Sequence, residues 1–257
     1  MKRRALWLQV ATMPAALGAW EAIGRSGLVA NNVLPPMSEV VTSLGRLLAS
    51  PGIWFDFEVT AWEIGMGLLV GAAVGLVIGV MVGARRGAWR TVEPLLYYVS
   101  SLPKIIFLPV FVLYLGIGIY SKAGLAAISA FFPVIVTTAV GVHEVRDVHV
   151  RAARTLGAGP WQIATKVYLP AAAGPVLSGL RLGFGVAVIG ALLGEASLAS
   201  AGVGFQAITY YQNLQITDMY ALLLLVFGAA VGINALLGSV LDHLTRYTRH
   251  EPRQAFF

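Results

Sequence analysis

The 257-residue chain contains no cysteine, and aspartate, glutamate, lysine and arginine together make up only 12% of it. Without cysteine the chain has no disulfide, no thiol chemistry and no thiolate metal site. Soluble globular domains carry about 25% charged residues, so the low charged fraction argues against such a domain. The chain also has no Ser/Pro/Gly-rich linker and no low-complexity run, which predicts a single domain over residues 1–257.

Apolar residues dominate instead: they make up 58% of the chain, and the mean hydropathy is +0.78. A helix crosses a bilayer with about 20 predominantly apolar residues, and the clearest such window, Ile64 to Ala84, contains no charged residue. The net charge of +6 would suit nucleic acid, but the basic residues are scattered along connecting segments and form no patch with interleaved aromatic residues. The composition therefore predicts an integral membrane protein that contacts lipid and binds no nucleic acid.

Apolar periodicity predicts an all-α membrane domain with six transmembrane helices, at residues 6–23, 60–83, 94–115, 122–142, 175–197 and 217–241. An even number of spans places both termini on one side of the membrane. If that side is the cytosol, thirteen of the 18 lysines and arginines are cytosolic. Three are external (Arg25, Arg46, Lys122), and two lie within spans (Lys104, Arg181). This bias obeys the positive-inside rule and predicts cytosolic termini.

The N-terminal part of the chain allows alternatives. Residues 1–4 and the apolar run behind them also fit a signal peptide, whose cleavage would leave five spans and termini on opposite sides. In the external loop that follows, residues 38–49 have the spacing of a short helix with Ser38 as its N-cap. This helix lies either on the outer membrane surface or against the protein as an ordinary loop helix.

Glycine recurs every four residues along the second predicted span, at Gly67, Gly71, Gly75, Gly79 and Gly83. In lipid there is little hydrophobic drive between helices, and small residues let their backbones approach closely. Pairs with the same spacing follow in the fifth and sixth spans, at Gly179/Gly183, Gly190/Gly194 and Gly228/Gly232. These faces pack either within one subunit or across a homodimer seam.

Proline lies inside two predicted spans, at Pro103 and Pro109 in the third and at Pro133 in the fourth. Each proline removes a backbone hydrogen bond and favours a kink. Kinked helices occur where a pathway opens and closes, but prolines are also frequent in membrane helices without that role.

Between Val142 and Pro175 the apolar pattern stops for roughly thirty residues on the side predicted to be cytosolic. The first part has the alternation of an amphipathic helix. Gly157 and Gly159 can end that helix, and Pro160 suits the first turn of the next one. This helix–turn–helix is either a docking element for a soluble partner or an amphipathic segment on the membrane surface.

The cytosolic segment resembles the EAA loop of bacterial ABC importer permeases, whose pattern is Glu-Ala-Ala, a glycine after three residues, and a later Leu-Pro. Five residues match: Ala152, Ala153, Gly157, Leu169 and Pro170. The glutamate of the pattern is replaced by Arg151. Further stretches are similar to the nitrate, sulfonate and taurine-type permeases, namely Ser101–Lys104 with Leu108-Pro109, Leu115–Gly118, Phe131–Pro133, Gly179–Arg181, Gly194–Ala196 and Gly202–Phe205.

The resemblance implies a six-helix permease of the bacterial inner membrane that forms the translocation path as a homodimer. It implies two cytosolic ATPase subunits, which hold ATP and magnesium, and an extracytoplasmic solute-binding protein. The cargo of this group ranges over sulfonates, nitrate and vitamin precursors, so a small anionic solute is expected. The sequence agrees in lacking a Gly-x-x-x-x-Gly-Lys-Ser/Thr phosphate loop, and we expect no enzyme, cofactor or metal site in this chain.

The resemblance also implies candidate site residues. The coupling helix that docks on the ATPase would run from about Asp147 to Gly157, with contacts from Asp147, Arg151, Ala152, Ala153, Arg154 and Gly157. For the pathway we consider Lys104 and Glu195, since an unpaired charge at mid-bilayer costs about 2.5–3.5 kcal/mol. Each either contacts the solute or belongs to a structural pair. Arg181 is expected to snorkel to lipid headgroups, and Glu63 to lie at the interface.

Two other function classes are open to an apolar chain of this kind. A self-contained channel or secondary carrier would show inverted repeats and broken helices with buried polar clusters, and we find no internal repeat. A membrane enzyme would need a cluster of His, Asp and Glu at membrane depth, whereas the four histidines are dispersed at predicted cytosolic ends.

Overall fold

A computed structural model of the chain describes residues 2–27 and 33–245. Every regular element in these two stretches is helical. The helices are α1 (Lys2–Arg25), α2 (Met37–Ala49), α3 (Pro51–Gly83), α4 (Arg86–Ser100), α5 (Leu108–Leu115), α6 (Ile119–His143), α7 (Asp147–Thr155), α8 (Pro160–Ile163), α9 (Leu169–Ala171), α10 (Ala173–Leu198), α11 (Val203–Gln212) and α12 (Ile216–Thr245). A 3-10 turn at Lys104–Phe107 precedes α5, and a π-helical turn at Ala164–Tyr168 precedes α9.

Helix α6 lies at the centre, between α3 on one side and α10 on the other. More than half of its length is buried, because small side chains line both of its contact faces. Ala126 and Ala130 of α6 pack against Ala187 and Ala191 of α10, and all four are fully buried. Their lack of bulk brings the two helix backbones close together.

The glycine period in α3 is the other half of this packing. All five glycines from Gly67 to Gly83 are buried, and each faces backbone or small side chains of α6. Four glycines of α10 also face α6: Gly179, Gly183, Gly190 and Gly194. The predicted packing within one subunit is therefore what α3 and α10 show. Gly228 and Gly232 of α12 instead have no atom within 4 Å of a would-be Cβ, so a dimer seam at that face stays a prediction.

Four helices among the described residues are long and apolar enough to cross a membrane: α3, α6, α10 and Ile216–Ser239 of α12. The pair α4 and α5 makes a fifth if it is counted as one broken span. Helix α1 covers the predicted first span, but it does not meet the same criterion. Six spans and cytosolic termini thus stay predictions, and residues 246–257, with three of the arginines counted as cytosolic, lie outside the described part.

The third predicted span, 94–115, is wrong as a single helix. Helix α4 ends at Ser100, and its axis is bent by 89° from that of the segment Lys104–Leu115. Pro103 explains the break, because the residue before a proline is disfavoured in helical conformation and the proline has no N–H for the ladder. Pro109 falls in the first turn of α5, where proline is tolerated. Pro133, by contrast, lies within an uninterrupted α6.

The external segment is more helical than predicted. Helix α3 begins at Pro51, nine residues before the predicted start of the second span. Helix α2 begins at Met37, and Ser38 is not its N-cap: the Ser38 hydroxyl donates to Glu21 of α1 at 2.9 Å. One face of α2 packs on α12, where Ser43 hydrogen bonds to Asp218. The helix is therefore packed against the protein along that face.

Because α3 and α6 are in tight contact, we expect a single methyl group added between them to lower the stability of the protein strongly. In Gly71→Ala the new Cβ would lie 2.2 Å from the Ala127 carbonyl oxygen, and overpacking of this kind costs about 1–3 kcal/mol. We expect a lower thermal unfolding midpoint in detergent, measured by intrinsic fluorescence. Gly65→Ala is the matched control, since the same change in the same helix meets nothing within 4 Å. Equal midpoints for the two variants would contradict the packing described.

Candidate functional site

The predicted cytosolic helix is present as α7, between the ends of α6 and α8. Asp147 is its first residue, where a negative charge is favourable because the helix dipole is positive at that end. Its carboxylate pairs with Arg86 of α4 at 2.7 Å. Both side chains are mostly exposed, so the pair contributes no more than about 1 kcal/mol. Asp147 therefore links α7 to α4 and is not a free group on the loop surface.

The end of α7 is a tight, backbone-bonded turn. The N–H of Ala158 donates to the carbonyl of Ala153 at 3.0 Å, and the N–H of Gly157 donates to that of Arg154 at 2.9 Å. These two bonds form a Schellman motif, which requires a left-handed residue after the helix. Gly157 supplies it with a φ of +79°.

The chain then turns back towards the membrane through Gly159 and Pro160. Gly159 is extended, and its N–H donates to the Gln162 side chain at 2.9 Å. Pro160 opens α8, as its fixed φ favours. The π-helical turn and α9, which contain the Leu169-Pro170 pair, lead directly into α10. The predicted helix, tight turn and helix are thus all present.

Two large apolar side chains stand out from this turn. Leu156 is 88% exposed and Trp161 is 79% exposed, one on each side of the Gly157–Gly159 bend. Both were missed in the sequence interpretation because they occupy positions that the motif leaves variable. The sequence nevertheless indicates an exposed side chain at Trp161, because a tryptophan beside two glycines in an otherwise polar loop has no apolar core to pack into. We call the surface formed by Arg151, Ala152, Arg154, Leu156 and Trp161 the loop surface.

The structure separates the predicted coupling residues into three groups. Arg151, Ala152 and Arg154 are exposed and lie on the loop surface. Ala153 is only half-exposed and supplies a carbonyl to the turn, while Gly157 shapes the turn. Asp147 pairs with Arg86.

Lys104 lies at the break between α4 and α5, in the 3-10 turn. Its side chain is partly buried, its ammonium donates to the Ser100 carbonyl, and it stands 5.5 Å from the centre of the Phe132 ring. That ring contact is a cation–π interaction. The lysine therefore closes the C-terminal end of α4 and faces α6, in agreement with the expectation that it points inward.

Glu195 is 1% exposed and lies near the end of α10. Its carboxylate accepts hydrogen bonds from the Thr60 hydroxyl and from the Gly204 N–H, both at 2.6 Å. The carboxyl group of Glu63 is its neighbour, and Lys122 is near enough to act on it electrostatically. Glu63 is 2% exposed, so the prediction that it lies at the membrane interface is wrong. Lys122 is also 2% exposed and is buried within the protein, and the side of the membrane on which its end of α6 lies stays a prediction.

The two predicted pathway residues are not brought together. Lys104 contacts Phe132, whereas Glu195 is beside Lys122, ten residues earlier on α6. At 1.5 Å per residue these positions are about 15 Å apart along the helix.

The side chain of Arg181 is bonded within the protein. Its Nε–H donates to Asn234 of α12 at 2.8 Å, while the residue as a whole is exposed, and snorkelling to lipid headgroups stays a prediction. Elsewhere in the described part of the chain, no group of three or more His, Cys, Asp or Glu side chains is arranged to hold a metal ion.

Comparison with known proteins places this geometry in context. A family model described as binding-protein-dependent transport system inner membrane component matches residues 71–250. The chain is 30% identical to the putative aliphatic sulfonates transport permease protein SsuC of Bacillus subtilis, over 95% of this chain and 86% of that one. It is 27% identical to the taurine transport system permease protein TauC of Escherichia coli, over 79% and 75%.

Among solved structures, an inward-facing form of the MetNI methionine ABC transporter matches with a TM-score of 0.59. The match covers 79% of this chain and 96% of that one, at 24% sequence identity. At this identity the likeness concerns the fold alone.

Because Gly157 has a left-handed conformation, we expect a side chain at this position to destabilise the turn. Gly157→Ala forces a Cβ into a positive-φ conformation, which costs about 1–2 kcal/mol. We expect faster cleavage of the loop by a soluble protease in detergent, because the turn opens more often. Gly159→Ala is the control, since it has a φ of −74° and an equally open surrounding. Equal cleavage rates for both variants would show that Gly157 does not set the turn.

Proposed function

The chain belongs to the family of binding-protein-dependent transport system inner membrane components, the permeases of ABC importers, and we propose that it forms, as a homodimer, the translocation path for a small anionic solute. Proteins of this family are multi-pass, non-catalytic subunits of the bacterial inner membrane. The observation that carries the proposal is the exposed α7–α8 turn, whose spacing and geometry fit a docking element. The proposal includes six spans with both termini in the cytosol.

In this proposal the loop surface docks on a cytosolic ATPase subunit. Leu156 and Trp161 are not covered by any other part of residues 2–27 and 33–245, and large apolar side chains are the usual energetic anchors of protein interfaces. Ala152 permits close approach, and Arg151 and Arg154 add positive charge that suits an acidic rim on the partner. Each subunit of the homodimer would dock one ATPase subunit.

The energy source lies outside this chain. Because the sequence has no phosphate loop, ATP and magnesium would be held by the two ATPase subunits. Movement would then enter the permease through α7, and α8 and α9 would pass it to α10, which follows without a flexible linker.

The proposed substrate class is a sulfonate or a similar small anion, delivered by an extracytoplasmic binding protein. It is supported by the relatives named for aliphatic sulfonates and taurine. Lys104 is our candidate for the group that attracts the anion, since it lies inside the bundle at a break between helices.

The test of this function is reconstitution in proteoliposomes with the ATPase and binding protein encoded beside the gene. We expect ATP-dependent uptake of taurine or a short alkanesulfonate, and none without the binding protein. Uptake of nitrate or of a vitamin precursor instead would change the proposed substrate class but not the proposed mechanism. Uptake by the chain alone, without ATP, would support a secondary carrier and overturn the proposal.

The docking role of Leu156 leads to a sharp prediction. Leu156→Asp should weaken ATPase co-purification by about tenfold or more, because a charge replaces a buried anchor of the interface. Leu214→Asp is the matched control: it makes the same change at a residue with 75% exposure that lies far along the chain, between α11 and α12. If both variants retain the ATPase equally, the loop surface is not the docking site.

The role of Lys104 is tested by removing only its charge. Lys104→Gln should reduce uptake about tenfold, the loss expected for one hydrogen bond to a charged group, while the ATPase still co-purifies. Lys104→Arg should retain most of the uptake because the charge remains. Wild-type uptake by the glutamine variant would remove Lys104 from the pathway.

A further inference from the structure

Helix α11 is a short element between two long ones. Its 10 residues are too few to cross a bilayer, which takes about 20. It follows α10 after a four-residue connection and leads through a short turn into α12. Its N-terminal end, from Gly202 to Gly204, is buried.

The first N–H groups of a helix have no partner within the helix, and in α11 distant helices supply the partners. Gly202 N–H donates to Asp56 Oδ1 at 2.9 Å, and Val203 N–H donates to Thr60 Oγ1 at 2.9 Å. Gly204 N–H donates to Glu195 Oε2 at 2.6 Å. Three consecutive backbone groups are thus bonded to side chains of α3 and α10.

These acceptors are also connected to one another. The Thr60 hydroxyl, which accepts from Val203, lies 2.6 Å from Glu195 Oε1 and 3.0 Å from the Asp56 carbonyl oxygen, and its single proton is shared between these two acceptors. Two of the three acceptors are carboxyl oxygens, from Asp56 and Glu195. Glu63 and Lys122 are buried beside Glu195. One carboxyl oxygen of Glu63 has no hydrogen-bond partner among the described residues, so the bonded network is limited to the acceptors named above.

The approach of α11 to this network depends on glycine. Gly202 has a φ of +109°, and a Cβ there would lie 2.3 Å from the Glu195 carboxylate. At Gly204 a Cβ would lie 2.5 Å from the Leu192 carbonyl oxygen. Even alanine would push the end of α11 away from the side chains that bond it.

We propose that Asp56, Thr60 and Glu195 are positioning residues for transport, which fix the N-terminal end of α11 so that α11, α3 and α10 move as one body. The link to transport rests on the proposed function, whereas the attachment of α11 is a property of the isolated chain. A buried polar network holds a structure tightly when every member is bonded and weakens it when one partner is lost. The conformational change of the transport cycle would then occur outside the unit formed by α3, α10 and α11.

Because the chain has no cysteine, introduced cysteines can be labelled selectively to test the attachment of α11. Cysteines introduced at Trp62 of α3 and Tyr211 of α11, which are 61% and 59% exposed, carry the only spin labels, and an excess of unlabelled chain leaves one labelled subunit in each dimer. Pulsed EPR on the chain in nanodiscs should give one narrow distance distribution. Thr60→Val removes the hydroxyl at nearly constant volume and should broaden that distribution, whereas Thr60→Ser should restore it. A broad wild-type distribution, or a valine variant as narrow as wild type, would overturn the attachment.

The same labels test the moving unit in the complete transporter. The wild-type distance should be the same without nucleotide and in the ATP-trapped state, and Thr60→Val should lower uptake about tenfold while the ATPase still co-purifies. Thr60→Ser should recover uptake. A wild-type distance that shifts by more than its width on trapping would overturn the proposal, as would normal uptake by the valine variant.

Controls separate this inference from general instability and from the proposed function. Ser197→Ala changes a hydroxyl on the same end of α10 that bonds only to the Leu193 carbonyl, and it should leave distance and uptake unchanged. If the Thr60→Val variant does not accumulate, the Glu195→Gln variant is used in its place, because glutamine has the same shape as glutamate. Failure of the wild type to bind any ATPase would count against the proposed function, and the distances in the isolated chain would still decide the attachment of α11.

Discussion

The close packing of α6 between α3 and α10 is the constraint on which the rest of the structure depends. Lipid offers helices little hydrophobic reason to associate, so contact comes from backbone approach over small residues. The glycines of α3 from Gly67 to Gly83 face α6, and on the α10 side alanine packs against alanine. With bulky residues along these faces the three helices would stand further apart, and the buried hydrogen bonds between them would not form.

This packing makes α10 a connection between the two ends of the protein. Its 26 residues extend about 39 Å as helix, with the loop of α7–α9 at one end and Glu195 near the other. Glu195 bonds Thr60 and Gly204 only because α10 and α3 are both held against α6. In the proposed mechanism, a displacement that enters through the loop would reach α11 through these bonded contacts.

The sequence predicted those features that local spacing determines. The four-residue glycine period predicted a packed α3, and the two glycines before Pro160 predicted the turn after α7. The kink predicted at Pro103 is a full break with an 89° bend, because the proline disfavours a helical conformation of the residue before it, so 94–115 is not one continuous helix. Glu63 was misplaced, and the burial of Lys122 was missed, because a charge near the end of an apolar run has the same pattern at an interface as in a buried cluster. Only the register between α3, α6 and α10, which involves residues far apart in the chain, distinguishes the two.

The arginine in place of the motif glutamate is consistent with an intact loop, since the turn is built from the backbone. The bonds that close it join the N–H groups of Gly157 and Ala158 to carbonyls of α7, and neither involves the side chain of Arg151. That side chain is exposed, so the substitution changes the charge that the loop surface presents and not its shape. In the proposed docking, a partner adapted to this chain would differ in the charge facing Arg151, while Leu156 and Trp161 would supply the apolar contacts.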